Sequence, residues 1–184
     1  MATPYVREVE MVADAIRRVV TGLDENDSAV VVFDSHVPLA ARSPGIASAN
    51  LWITDSYPPD LSRKDTADRP IGISPPDSGT IFRIVEFAPI DPAAEAHLPS
   101  DMLMKRVGPS PAKGRPANHP MMHRTRTLDY AVILSGEIDM VLDDTSVHLK
   151  AGDAIVQQAT NHAWINHGTQ PCRILFVLLD SQEP

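Results

Sequence analysis

Two short segments in the second half of the chain place reactive side chains at alternating positions. The first runs from Met121 to Gly136 and reads MMHRTRTLDYAVILSG. Successive side chains of a strand point to opposite faces, so every second residue here shares a face. That face carries an imidazole, two hydroxyls and a carboxylate, from His123, Thr125, Thr127 and Asp129. A carboxylate turned into a barrel must bind a cation, accept hydrogen bonds or hold a proton, which makes Asp129 a candidate catalytic group.

The second segment runs from Gly152 to Asn166 and reads GDAIVQQATNHAWIN. Alternation places His162, Trp164 and Asn166 on one face, and this combination fits a pocket wall better than a solvent-facing surface. The two segments together predict a catalytic set of His123, Asp129 and His162, with substrate contacts from Thr125, Trp164 and Asn166. Two alternatives stay open: His123 packed in the interior and hydrogen-bonded to Asp129, and Trp164 as a core aromatic.

Turn signals divide the region after Met121 into short β-rich runs. They fall at Ser135-Gly136, Asp143-Asp144, Ala151-Gly152 and His167-Gly168. A spacing of roughly 8 to 12 residues between turns is typical of a β-sandwich or β-barrel. The chain therefore brings the two reactive segments together in an all-β fold.

Two further strands are predicted upstream, at Ala49–Thr54 and Thr80–Phe87. In the second of these, Arg83 shares a face with Ile81 and Val85. Its guanidinium either reaches solvent from an edge strand or anchors a carboxylate of the substrate, so Arg83 joins the predicted substrate-binding residues.

The remaining segments are predicted to wrap this barrel within one domain spanning 1–184. Most of the 17 prolines lie between Pro38 and Pro120, which limits that region to loops and short strands. Apolar residues at helical spacing predict a short N-terminal helix to about Ile16, followed by strands around a polar turn from Gly22 to Ser28. We divide the chain into an arm and hairpin (1–48), short strands and proline-rich loops (49–118) and the core motifs (119–180). We expect residues 88–118 to form a long ordered loop, and loops of that length often serve as lids or binding walls.

Composition excludes several classes of partner. The net charge is −8 without a strong basic cluster, which argues against nucleic acid. No apolar run approaches the ~20 residues of a membrane span. The single Cys172 cannot form an internal disulfide and is expected to be a buried, inert thiol. We expect a cytoplasmic protein with a small-molecule partner, and a homodimer that covers exposed sheet edges.

The two reactive segments resemble the paired motifs of the cupin superfamily. The first motif is matched by His123, Asp129 and Gly136, and the second by Gly152, Asp153, His162 and Asn166. Two positions differ from the family pattern: Thr125 stands where the first motif has its second histidine, and Gln157-Gln158-Ala159 replaces the usual Pro-x-Gly turn. The resemblance implies a single jelly-roll barrel.

The resemblance also implies a metal site and a class of reaction. His123, Asp129 and His162 would hold a divalent Fe, Zn, Mn or Ni ion, with Thr125 as a weaker contact and no nucleotide cofactor. Cupin chemistry includes decarboxylase-type lyases and dioxygenases acting on small carboxylated or phenolic substrates. The missing histidine favours the lyase, because the site resembles an acid/base pocket, while a dioxygenase and a metal-free binding module stay open.

Overall fold

Antiparallel strands dominate the part of the chain that the structure, a computed structural model, describes: residues 15–95, 98 and 119–182. The strands are β1 (Ile16–Leu23), β2 (Ala29–Val37), β3 (Ala40–Ser43), β4 (Ile46–Thr54), β5 (Thr80–Phe87), β6 (Thr127–Ser135), β7 (Glu137–Val141), β8 (Ser146–Lys150), β9 (Ala154–Gln158), β10 (Ala163–Ile165) and β11 (Cys172–Asp180). One helical turn, α1 (Pro92–Glu95), lies between β5 and β6. Within this part of the chain, no helix has the length and apolar character needed to cross a membrane.

The strands form two main sheets and a hairpin. A six-stranded sheet has the order β3-β4-β5-β11-β6-β9, a three-stranded sheet has the order β10-β7-β8, and β1 pairs with β2. All of these pairings are antiparallel. The predicted all-β jelly roll is confirmed.

The core lies between the two main sheets. Ile53, Ile81 and Ile174 point inward from the six-stranded sheet and are fully buried, and they share a cluster with Ile138 and Leu149 of the three-stranded sheet. Isoleucine suits these positions because its branched side chain packs well on a pleated surface. This packing fixes which face of each strand points inward, and therefore which polar residues reach the interior.

Several local predictions are confirmed. The two upstream strands appear as β4 and β5, and each of the four turn signals falls between consecutive strands. The side chain of Cys172 is fully buried, and burial raises the pKa of its thiol to about 11. That thiol is therefore protonated and inert at neutral pH.

The N-terminal helix prediction is not supported. Residues 1–14, which carry most of the helical pattern, lie outside the described residues, and Ile16 is the first residue of β1. The helical spacing there competes with a β-branched run that pairs along its length with β2, from Ile16 opposite Val37 to Leu23 opposite Ala29. Most of the predicted 88–118 loop also lies outside the described residues.

A chain of alternating histidines and carboxylates ties α1 to the three-stranded sheet. Glu95 contacts His119 at 3.0 Å and His167 at 2.9 Å. His167 in turn contacts Asp139 at 2.9 Å, and Asp139 contacts His148 at 2.9 Å. The hydrogen bond to Asp139 is the main reason that the pKa of His167 is raised, and the same holds for His148.

We expect this network to make stability depend on pH. A histidine whose folded pKa is raised stabilises the fold below its unfolded value of 6.5, and that stabilisation is lost as pH rises through the folded pKa. The melting temperature should therefore fall as pH rises above 6.5, and His167→Gln should make this fall shallower by a small amount, because the side chain is partly exposed and solvent screens its ion pairs. His167 also faces Glu95, which in turn contacts His119. His148 also faces Glu137.

The control is His36→Gln, which removes an exposed histidine on β2 outside the network. It should keep the wild-type slope. An unchanged slope in His167→Gln would show that the network does not contribute to stability.

Candidate active site

Side chains of both main sheets line a cavity of about 410 Å³. Its polar members include residues from β4, β5 and β6 and from the two segments that contain the predicted histidines. Six of the seven predicted site residues belong to the lining: Arg83, His123, Thr125, Asp129, His162 and Trp164. The volume lies within the usual range for small-molecule sites.

His123 and His162 are neighbours in this cavity. The two residues form an antiparallel bridge, in which each backbone N–H donates to the carbonyl of the other at 2.9 Å. Their ring centroids are 4.3 Å apart, with the planes tilted by 51°. Two segments far apart in the chain thus meet at this pair, as their shared motifs predict.

Both imidazoles have the same tautomer and are neutral. Nδ1 of His123 lies 3.1 Å from the carbonyl of Met121, and Nδ1 of His162 lies 2.9 Å from the carbonyl of Thr160. A carbonyl only accepts, so each Nδ1 carries the proton and each Nε2 presents a lone pair. Burial lowers the pKa of His123, and burial together with His123 lowers the pKa of His162 to about 3. At neutral pH the pair accepts hydrogen bonds at Nε2.

Gln157 connects the histidine pair to Asp129. It lies on β9 directly opposite Asp129 on β6 and is 4% exposed. Its Nε2 is 3.2 Å from Oδ2 of Asp129 and 3.3 Å from Nε2 of His162. The two N–H groups of one amide can serve both acceptors, which agrees with the tautomer of His162. From the motif alone, Gln157 is interpreted only as part of an altered turn, although its alternation with the apolar Ile155 is the signal of an inward polar group.

Asp129 keeps one oxygen available. Its Oδ1 is buried and has no hydrogen-bond partner among the described residues. Burial raises the pKa of this carboxyl to about 6, and the Thr127 hydroxyl and the Arg83 charge oppose that rise. A carboxyl with a pKa near neutrality can both give and take a proton, as general acid–base catalysis requires.

The three predicted metal ligands are not arranged as one coordination sphere. Within the described residues, no group of three His, Cys, Asp or Glu side chains is placed to hold a metal ion. The Nε2 of His162 and the Oδ2 of Asp129 both face the amide of Gln157, which lies between them. The donor set therefore does not fit the three-ligand site implied by the family motifs, and the predicted alternative of His123 bonded to Asp129 is not observed either.

Thr125 and Trp164 lie where the sequence predicts. The hydroxyl of Thr125 is 2.7 Å from that of Thr127, on the cavity wall. Trp164 packs edge-on against His162 and Phe176, at centroid distances of 6.0 Å and 5.7 Å. It belongs to the hydrophobic core and also lines the cavity, so contact with a substrate stays a prediction.

One predicted site residue needs correction, and one of the two alternatives for Arg83 is excluded. Asn166 lies outside the cavity lining: its Nδ2 donates to the carbonyls of Phe87 and Gln170 at 2.9 Å each, and its Oδ1 accepts from Gly168 N–H at 2.9 Å. It stabilises loops and does not face a substrate. Arg83 is not a solvent-reaching edge residue, because β5 lies between β4 and β11 and the residue is only 8% exposed.

Comparisons with known proteins identify the family. Phomopsin biosynthesis cluster protein C' of Diaporthe leptostromiformis is 31% identical over 172 residues, which cover 86% of this chain and 76% of the relative. The family model described as the cupin domain matches residues 111–178. This chain belongs to the cupin superfamily. The cupin is also 28% identical over 178 residues to a cupin-domain-containing oxidoreductase of Neurospora crassa, covering 91% of this chain and 76% of that one.

Among solved structures, the cupin aligns with a putative ethanolamine utilization protein of Salmonella typhimurium at 10% identity and a TM-score of 0.45, covering 91% and 98% of the two chains.

Proposed function

We propose that this cupin is a small-molecule enzyme of the lyase class, in which Asp129 moves a proton to or from carbon. The observation that carries the proposal is the Asp129 carboxyl on the cavity wall, whose Oδ2 accepts a hydrogen bond from Gln157 while its buried Oδ1 has no hydrogen-bond partner among the described residues. A named relative from a biosynthesis cluster supports a small organic substrate.

The residues suit decarboxylation of a small carboxylated substrate. Protonated Asp129 gives its proton to the carbon that loses CO₂, and the electrons of the breaking C–C bond form the new C–H bond. Asp129 then takes up a proton from bulk solvent, so that one proton is consumed for each CO₂ released. The Nε2 lone pair of His123 accepts a hydrogen bond from a substrate hydroxyl, since its Nδ1 proton is already donated to Met121. Trp164 and Phe176 keep water from the reacting carbon.

The experiment is an NMR assay in D₂O with a panel of 3-oxo acids and hydroxybenzoates, run with and without a chelator. We expect CO₂ release with deuterium on the product carbon, unchanged by the chelator, and substoichiometric metal in protein purified without chelators. Gln157→Leu should lower turnover, because Asp129 and His162 lose their shared donor. Gln158→Leu, its exposed neighbour on β9, serves as the control and should not.

Oxidation is the second candidate function, supported by the name of the Neurospora crassa relative. A metal bound by His162 and Asp129 would require Gln157 to turn away from both. Stoichiometric metal, lost in His162→Ala, together with oxygen consumption abolished by the chelator, would replace the lyase proposal by this one. Ligand binding without turnover of either kind would instead indicate a binding module.

We also propose a homodimer through the outer face of the six-stranded sheet. Phe82, Val177, Tyr130 and Val156 form one cross-strand row on that face, and Phe82, Tyr130 and Val156 are 37%, 47% and 62% exposed. The row ends on β9, one of the two edge strands of the sheet, which pairs with no further strand in the described part of the chain. A second copy fits this face because an apolar row beside an unpaired antiparallel edge can pair with itself across a two-fold axis.

Light scattering after size-exclusion chromatography tests the dimer. Val156→Lys should convert the dimer to a monomer, because it places a charge in the proposed contact. Leu61→Lys alters a loop residue that is 96% exposed and should leave the dimer unchanged. A wild-type monomer would refute the dimer.

A further inference from the structure

We propose that Arg83 and Arg42 form an anion subsite that selects substrates carrying a single carboxylate on an apolar body. The subsite lies on the cavity wall built by β3, β4 and β5. The inference rests on the proposed function of the cavity and specifies its substrate class.

Arg83 carries a buried charge that forms no direct ion pair among the described residues, although the Asp129 carboxylate on the same cavity wall favours its charged form. It is 8% exposed at the centre of the sheet, and its Nη2 donates to the carbonyl of Gly72 at 2.9 Å. Its Nε is buried and has no partner, and none of the ion pairs among the described residues includes Arg83 or Arg42. Burial, followed by the Arg42 charge, lowers the pKa of Arg83 to about 10. Burying a guanidinium without a direct ion pair is costly, and an anion that arrives with a ligand offsets that cost.

Unpartnered polar atoms converge on the same cavity. Five buried side-chain atoms in the described part of the chain have no hydrogen-bond partner: Arg18 Nε, Asn50 Oδ1, Arg83 Nε, Asp129 Oδ1 and Gln157 Oε1. Asn50, Arg83 and Asp129 line the cavity, and Asn50 lies directly opposite Arg83 in the β4–β5 pairing. Native proteins rarely leave buried polar atoms unpaired, so their concentration at one cavity points to a polar ligand.

The charges of the lining favour one negative charge on that ligand. Arg42 lies exposed on β3, where its Nε donates to the hydroxyl of Ser48 at 2.7 Å and the rest of its guanidinium stays free to meet an anion. With both histidines neutral, two arginines and an ionised Asp129 leave one net positive charge in a chain whose overall charge is −8. The rest of the wall is apolar, with Ile46, Ile71, Val85, Phe87, Trp164 and Phe176 among its residues. A monoanionic carboxylate with an apolar body matches both features.

Titration calorimetry with 2-naphthoate and its neutral isostere 2-naphthamide tests the subsite. We expect 2-naphthoate to bind wild-type protein about tenfold or more tightly than the amide, as a charge-assisted pair with arginine predicts. Arg83→Gln should remove this preference, and Arg42→Gln should reduce it by less because Arg42 is exposed. Equal binding of the two probes to wild type, or no binding of either, overturns the inference.

Arg18→Gln is the matched control, because Arg18 is also 8% exposed but is paired with Asp65 and donates to the carbonyl of Leu51. Arg18→Gln should lower the melting temperature and keep the carboxylate preference, whereas Arg83→Gln should stay near the wild-type melting temperature. A loss of stability in Arg83→Gln with the preference intact would make Arg83 an anchor for the Gly72 loop and overturn the inference. Asp129→Asn should bind 2-naphthoate more tightly, since it removes a negative charge from the cavity, so the subsite is judged independently of turnover.

Discussion

Replacing Asp129 by Asn should reduce turnover by about 10²–10⁴-fold, because the variant cannot exchange a proton at this position. Asn has nearly the same shape and can still accept a hydrogen bond from Gln157, so the cavity should be preserved. The variant should be at least as stable as wild type at pH 7, because burial disfavours the ionised carboxyl and raises its pKa to about 6. Steady-state kinetics and urea denaturation together separate this result from simple unfolding.

The pH profile of the wild-type enzyme gives a second test of the same residue. If protonated Asp129 is the acid, turnover should fall as pH rises above about 6, the pKa of that carboxyl. The fall should be absent from the residual activity of Asp129→Asn and present in Asp60→Asn, which changes an exposed loop carboxylate. Full activity in Asp129→Asn would refute the assigned role.

Gly136→Ala should be the most destabilising of the proposed substitutions, by about 2–5 kcal/mol in the free energy of unfolding. Gly136 joins β6 to β7 with a φ of 74°, in the left-handed region that disfavours side chains. An added Cβ would also lie 2.6 Å from the carbonyl oxygen of Pro171 and 2.9 Å from the Cα of Cys172. Both contacts are backbone atoms, which cannot move aside without shifting the start of β11.

Gly152→Ala separates the cost of the left-handed backbone conformation from the cost of the steric contact. Gly152 has a φ of 95°, but a Cβ there would meet nothing within 4 Å. The free energy of unfolding of this variant should therefore fall by about 1–2 kcal/mol, the cost of placing an alanine in the left-handed region. Equal losses in the two variants, measured by urea denaturation, would show that the close approach of the Pro171 segment contributes nothing.

The fold could be predicted because its signals are local. Alternation in Thr80–Phe87 and the four turn signals after Met121 depend only on neighbouring residues, and all of them correspond to observed strands and turns. The helical spacing predicted to end at about Ile16 finds no support, since Ile16 already begins β1 and residues 1–14 lie outside the described residues. There the strand is stabilised by pairing with Ala29–Val37, which a helical spacing pattern does not reveal.

The candidate site could be predicted only in part, because much of it depends on which strands are neighbours. Alternation within one segment predicts that His123 and Asp129 share a strand face. The position of Gln157 opposite Asp129 depends instead on the β6–β9 register, which the sequence does not show. The two alternatives for Arg83 could not be decided from the sequence, which does not reveal that β11 pairs beside β5 and makes it a central strand. Asn166 shares a face with His162, yet three hydrogen bonds with backbone groups occupy its amide.

The bridge between His123 and His162 gives the cavity a built-in reporter. Each backbone N–H donates only across the pair, so both amides are shielded by the same contact. Their hydrogen–deuterium exchange rates should therefore change together when the His123–His162 bridge opens. The backbone amide resonances of these two histidines would then report local opening of the cavity wall, before any substrate has been identified.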